Sequence, residues 1–157
     1  MSRVERITWL RIFLRVLSVG YLAAFIPWIT LILLNAPVLA PGGTLAPILR
    51  FQPYNVYYES MLTAIHLAWA VMLWRASADP DRHLLFIDFT ILANIAHGLV
   101  MLIVTPSQKG VVMTFVEGVP LFVIAAVLWW LRPKHSNLER LASEAGGNAP
   151  SLAGRAS

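Results

Sequence analysis

The chain has 157 residues, of which 58% are hydrophobic and only 13% charged, with a net charge of +4. Soluble domains carry about 25% charged residues, so this composition excludes an ordinary soluble domain and indicates an integral membrane protein. The sequence has no cysteine, which excludes disulfides, thiolate metal ligands and thiol nucleophiles. Its basic residues cluster beside apolar runs, so the positive charge fits membrane orientation and argues against nucleic-acid binding.

Four apolar runs follow one another along the chain, and each has the roughly 20 residues that a helix needs to cross a bilayer. They extend from Val16 to Asn35, Val56 to Trp74, Leu84 to Val104 and Val111 to Leu131. The first run follows a basic segment, as in a signal peptide, but it is too long for a signal-peptide core, so we expect it to be retained. The sequence therefore predicts an all-α, four-helix transmembrane bundle of up-down topology over residues 16–133.

The distribution of Lys and Arg predicts the orientation of this bundle, because cytoplasmic ends of membrane helices are enriched in both residues. Most of them lie in segment 1–15, in the loop between the second and third runs, and after the fourth run. The two opposite loops hold only Arg50 and Lys109. We therefore predict a multi-pass membrane protein with both termini cytoplasmic. Segment 1–15 is then a basic cytoplasmic segment, and 134–157 a mostly disordered cytoplasmic tail.

The loop between the first two runs is long, rich in Pro and Gly, and still fairly apolar. Such a loop is expected either to lie on the membrane surface or to fold over the mouth of the bundle.

Several ionisable or amide side chains fall inside the runs, where they are costly unless they face the bundle interior or an interface. A rise of 1.5 Å per residue places Glu59, His97 and Glu117 in one layer of the outer half, and His66 and Asn94 near the midplane. Glu59 and His66 are seven residues apart and share one helix face. The pattern predicts a polar seam inside the bundle, formed by Glu59, His66, Asn94, His97 and Glu117.

The acidic residues of the spans are expected to find partners. Asp88, near the cytoplasmic end of the third span, is expected to pair with Arg82 or Arg75. Glu59 and Glu117 are expected to share a proton or a cation, because two bare anions repel strongly in a low dielectric. Replacement of either by Gln should then be tolerated.

The chemistry of this seam stays open at the level of sequence, and no cofactor is selected. Each residue also has a structural interpretation, such as a helix-start charge for Glu59 or a hydrogen bond between His66 and Asn94. A metal site using Glu59, His97 and Glu117 has suitable ligand types but lacks the usual Glu-x-x-His or His-Glu-x-x-His spacing. Bis-histidine haem is disfavoured, because the two histidines differ in depth by about 5 Å.

Two further interpretations concern apolar substrates or ligands. A buried Glu can act as a general acid on an apolar substrate. Small residues on the inner faces could instead leave a binding cavity among Met61, Met101, Met113 and Trp69. The six tryptophans otherwise look largely like interfacial anchors.

Four stretches carry a resemblance: "WLRIFLRVLSVGYL", "YYESM", "ASADPDRHLLFIDFT…NIAHGLVM" and "EGVPLFVIAAVLWWL". From about Trp9 to Pro133 the chain resembles a family of small bacterial four-helix membrane proteins named after a biphenyl-degradation operon. The distinctive matches are Glu59 with Met61, the Asp79-Pro80 turn, and the His-Gly-x-x-Met motif that begins at His97. The turn departs slightly from the family pattern, since His83 falls three residues after Pro80. The family has no established activity, and its genomic setting implies handling of apolar aromatic compounds.

We therefore expect a small multi-pass protein of the bacterial inner membrane, with a non-enzymatic accessory or binding role for small apolar molecules, aromatic ones included. Two alternatives stay open: a membrane-embedded enzyme or metal site using Glu59, His97 and Glu117, and a structural subunit of a larger membrane complex. The expected partners are the lipid bilayer, an apolar ligand, and further copies or subunits; nucleic acid is not among them.

The predicted orientation can be measured with reporter fusions. A fusion at Lys109 should report a periplasmic position and a fusion at the C-terminus a cytoplasmic one, because the Arg-rich ends stay inside. The reverse pattern would invert every depth assigned above.

Overall fold

The computed structural model describes residues 1–50 and 52–133, which form four long helices and one short helix. They are α1 (Arg3–Leu33), α2 (Ala46–Leu49), α3 (Val56–Ala78), α4 (Leu84–Lys109) and α5 (Val111–Leu131), with a 3₁₀ turn at Pro80–His83. No strand occurs within these described residues. The four long helices are each long and apolar enough to cross a membrane. The predicted all-α four-helix fold is confirmed; the predicted tail, 134–157, lies outside the described residues.

Local sequence signals explain where the helices begin. The Ser2 hydroxyl accepts a hydrogen bond from the Glu5 amide, and the Glu5 carboxylate accepts one from the Ser2 amide. This reciprocal cap starts α1 at Arg3, so helix runs through the basic segment ahead of the apolar run. The side chain of Asn55 caps α3 by accepting from the Tyr58 amide.

The link between α4 and α5 is a single residue, Gly110, whose φ of 84° lies in the left-handed region. Glycine adopts this conformation without the steric cost that a Cβ brings. The chain therefore reverses direction between Lys109 and Val111 with no intervening loop.

The outward faces of the long helices are apolar. Leu92, Ile103 and Val112 are 66%, 77% and 76% exposed, and many other large apolar side chains also point outward. In water such a surface would be unfavourable, whereas hydrocarbon solvates it without penalty. This apolar outer surface supports the conclusion that the chain is a multi-pass membrane protein.

The helices pack as two hairpins. One is α1 against α3, where the Ser18 hydroxyl donates to the Ala70 carbonyl over 2.7 Å. The other is α4 against α5, where the ring of Phe122 lies over Gly98. Small residues permit such close approach of membrane helices.

The main cluster of the hydrophobic core occupies the half of the bundle next to the N-terminus. There the two hairpins meet through a cluster of buried side chains: Leu10, Leu14, Leu73, Ala76, Ile87, Ile91, Ala125, Leu128 and Leu131. We call the opposite half, which carries the α1–α3 loop and Gly110, the loop end. No member of the buried cluster lies in the loop end.

Asp88 forms an ion pair in the half of the bundle that holds the core cluster, and its partner is not the expected one. Both its carboxylate oxygens contact the Arg132 guanidinium, at 2.5 and 2.6 Å. Arg82 instead lies 3.9 Å from Asp79. The expectation of Arg82 or Arg75 was wrong, because α5 runs antiparallel to α4 and ends beside the first turns of α4.

The contact at Gly98 yields a stability test. A Cβ at Gly98 would lie 2.8 Å from the Phe122 ring, whereas a Cβ at Gly118 would meet nothing closer than 3.8 Å. Alanine favours a helix over glycine by about 1 kcal/mol, but overpacking costs about 1–3 kcal/mol. Gly118→Ala should therefore raise the melting temperature in detergent, and Gly98→Ala should lower it. Equal effects of the two substitutions would contradict the close packing at Gly98.

Candidate functional site

A cavity of about 530 Å³ opens between the two hairpins at the loop end. Most of its lining side chains are apolar, including Phe25 and Trp28 from α1, Met101 from α4 and Leu121 from α5. Its volume lies in the range of small-molecule sites, about 300–1,000 Å³. We call it the loop-end cavity.

Trp69 separates this cavity from the packed half of the bundle. Its indole N–H donates to the Thr90 hydroxyl over 3.1 Å, which connects α3 to α4. Its ring lies 5.4 Å from that of Phe89 and 6.2 Å from that of His66. Trp69 therefore lies between the core cluster, against which it packs, and His66 on the cavity wall.

Imidazole rings form part of the cavity wall. The His66 ring stacks on Phe25 with centroids 4.2 Å apart, and its Nδ1 lies 2.8 Å from the Leu62 carbonyl oxygen. A carbonyl can only accept, so Nδ1 donates and Nε2 of the neutral ring is left as an acceptor. His97 also lines the cavity, with its ring centroid 6.4 Å from that of His66.

The α1–α3 loop, described at residues 34–50 and 52–55, folds over the loop end. Leu39 and Leu49 from this loop line the cavity. Of the two arrangements that the sequence left open, the structure shows the loop across the mouth of the bundle.

A buried ion pair holds the loop to α3. The Arg50 guanidinium donates two parallel hydrogen bonds to the Glu59 carboxylate, at 2.8 and 2.7 Å, and a third to the Leu39 carbonyl at 2.6 Å. It also lies over the Tyr54 ring at 4.6 Å. Arg50 and Glu59 are both buried, and this bidentate geometry is the strongest form of an Arg–carboxylate contact.

A second ion pair holds the loop to α4 and α5. The Lys109 ammonium donates to the Glu117 carboxylate over 2.6 Å and to the Ile48 carbonyl over 2.8 Å. Lys109 and Glu117 both line the loop-end cavity. This pair is therefore the charged part of the cavity wall.

The structure thus distributes the predicted seam over separate places. His66, His97 and Glu117 lie on one cavity. Asn94 is buried and does not line the cavity. Its amide donates to the Thr90 carbonyl over 2.8 Å, and it interacts with Tyr21. Glu59 is held by Arg50 and is not part of the cavity wall.

The expectation that two carboxylates share a proton or a cation was wrong. Glu59 and Glu117 each have their own basic partner, Arg50 and Lys109. The physical reason is the reach of long basic side chains, which extend from the loops into the apolar layer. The sequence held a signal for this, because the outer loops carry two cations and the outer layer two carboxylates.

The expected cavity lining was right in part. Met101 lines the cavity, whereas Met61 is 66% exposed on the outer surface. Trp28, expected at the membrane interface, lines the cavity instead, next to Pro27 of the same helix. Phe25 was missed, because an aromatic residue on an apolar run gives no distinguishing signal.

Within the described residues, no three His, Asp or Glu side chains converge closely enough to hold a metal ion. The fold and the site define a small multi-pass membrane protein with a cavity between its helices. Comparison with protein families, with curated proteins and with solved structures gives no match to this chain.

The buried pair at Arg50 gives a second stability test. Glu59→Gln leaves the buried guanidinium without a counter-charge and should lower the free energy of unfolding by about 3–5 kcal/mol. Asp88→Asn makes the same chemical change at a partly exposed pair and should cost at most about 1 kcal/mol. Both can be measured by unfolding in detergent.

The expected loss reverses the earlier expectation that Gln is tolerated at position 59, because that expectation assumed a proton shared with Glu117 and the structure pairs Glu59 with Arg50. The double variant Arg50→Met/Glu59→Met removes both charges and should recover much of the loss. Equal losses for Glu59→Gln and Asp88→Asn would show that the Arg50 pair contributes no more than an exposed one.

Proposed function

We propose that this protein binds small apolar molecules, aromatic ones included, in the loop-end cavity within the membrane. The observation that carries the proposal is the cavity itself, about 530 Å³ between two hairpins whose other half is densely packed. Empty apolar space of this size forgoes dispersion contacts, which an apolar ligand would restore.

The cavity wall suits a hydrophobic, planar ligand. Phe25, Trp28, Met101 and Leu121 supply aromatic and flexible apolar contacts. We also propose, on the motifs quoted above, that the protein belongs to the family named after the biphenyl-degradation operon. The same proposal places it in the inner membrane with both termini in the cytoplasm.

A non-enzymatic role accounts for the polar groups better than catalysis does. The acid–base set of the enzyme alternative needs Glu59, His97 and Glu117 together, but Arg50 binds Glu59 away from the cavity. Glu117 is ion-paired with Lys109, and the His66 ring is fixed by the Leu62 carbonyl. Groups held in this way support and orient a binding site.

Saturable binding of radiolabelled naphthalene to the protein in lipid nanodiscs tests the proposal, with empty nanodiscs subtracted. Leu121→Trp fills part of the cavity with an indole and should weaken binding about tenfold or more, since a ligand displaced from this space loses apolar burial worth about 1.5–3 kcal/mol. The matched control is Leu92→Trp, at a position 66% exposed on the outer face of α4, and it should bind as the unaltered protein does.

Two results would contradict the proposed function. One is the absence of saturable naphthalene binding to the unaltered protein. The other is equal binding by Leu121→Trp and Leu92→Trp, which would place the ligand on the lipid-facing surface. A role as a structural subunit would then account better for the fold.

A further inference from the structure

We propose that the natural ligand of the loop-end cavity is a neutral apolar molecule with a hydroxyl group, an alcohol or a phenol, whose O–H donates a hydrogen bond to Glu117. This inference rests on the proposed binding function and specifies the class of ligand. The observation behind it is an incompletely satisfied carboxylate on the cavity wall.

Among the described residues, only one oxygen of the Glu117 carboxylate has a hydrogen-bond partner. Oε1 accepts from the Lys109 ammonium, whereas Oε2 is buried and has no hydrogen-bond partner among the described residues. A buried acceptor without a donor is unfavourable, and a charged one more so. A ligand that brings a donor to Oε2 therefore gains more than one that brings only apolar surface.

The position of Glu117 lets a ligand reach this oxygen. Its side chain is 23% exposed and lines the cavity. The last torsion of a glutamate side chain is broad and roughly two-fold, so the carboxylate plane turns at little cost. A small turn presents Oε2 to the cavity while the bond to Lys109 is kept.

The charge balance of the site selects a neutral donor. Lys109 and Glu117 already cancel one another. A cationic ligand would bring an uncompensated charge into an apolar cavity, and an anionic one would also face the carboxylate. A hydroxyl is neutral and supplies the O–H that the oxygen lacks.

A second unsatisfied group on the wall fits the oxygen atom of the same ligand class. The indole N–H of Trp28 is buried and likewise has no hydrogen-bond partner in the part of the chain that the structure describes. It needs an acceptor, which a hydroxyl or an ether oxygen supplies equally well. A comparison of a hydroxyl with its methyl ether therefore isolates the donor to Glu117.

Equilibrium dialysis against protein in lipid nanodiscs at pH 7 tests the proposal with three probes: naphthalene, naphthol and the methyl ether of naphthol. The unaltered protein should bind naphthol about tenfold or more tightly than the ether, the range expected for a hydrogen bond to a charged acceptor. Affinities are corrected for partition into empty nanodiscs.

Variants at two carboxylates test the assignment to Glu117. In Glu117→Gln the amide oxygen takes the bond from Lys109 and the amide N–H₂ faces the ligand, so the preference for naphthol over the ether should fall to about one. Asp88→Asn makes the same change in the packed half and should keep the full preference. Because naphthol and ether are compared on the same variant, differences in partition cancel between variants.

The outcomes separate this inference from the proposed function. Equal binding of naphthol and ether by the unaltered protein overturns the inference, while saturable naphthalene binding still upholds the proposed function. A naphthol preference that persists in Glu117→Gln also overturns it, because the hydroxyl then binds elsewhere. Failure of all three probes to bind overturns both. The comparison on the unaltered protein can overturn the inference even if Glu117→Gln does not fold.

Discussion

The loop end of this protein depends on one constraint, which is that a charge placed in an apolar layer needs an opposite charge beside it. Glu59 and Glu117 meet this constraint through Arg50 and Lys109, and neither cation comes from the interior of a span. Arg50 lies in the α1–α3 loop, and Lys109 is the last residue of α4. Neutralising the carboxylates therefore also fixes the loop across the bundle.

The two ends of the bundle solve the packing problem differently. Near the N-terminus, Leu14, Leu73, Ile87 and Leu128 fill the space between the hairpins. At the loop end this cluster does not continue, and the hairpins are joined by the covering loop and its ion pairs. A cavity can persist there because stability comes from the packed half, so the proposed ligand does not have to hold the fold together.

Hydropathy predicts the spans well, because polar groups are costly in lipid and each membrane-spanning helix is therefore a long run of apolar residues. The helices that begin at Val56 and Val111 start where the runs do. The first helix begins earlier, since its start is set by the cap at Ser2, a local hydrogen-bond signal that hydropathy does not contain.

The site is less predictable from the sequence than the helices are. Helical rise gives depth along each span but not rotation about its axis, so it could not separate Glu59 from the wall that His97 and Glu117 share.

The single-residue link at Gly110 has a mechanical consequence for entry into the cavity. With no slack between them, α4 and α5 cannot separate at the loop end without breaking the turn itself. The α1–α3 loop is different, because it is long and is held to the helices at a few defined points, among them Arg50 and Ile48. The α4–α5 side of the loop end is thus fixed by its covalent link, whereas the position of the α1–α3 loop depends on a few hydrogen bonds that can break without unfolding a helix.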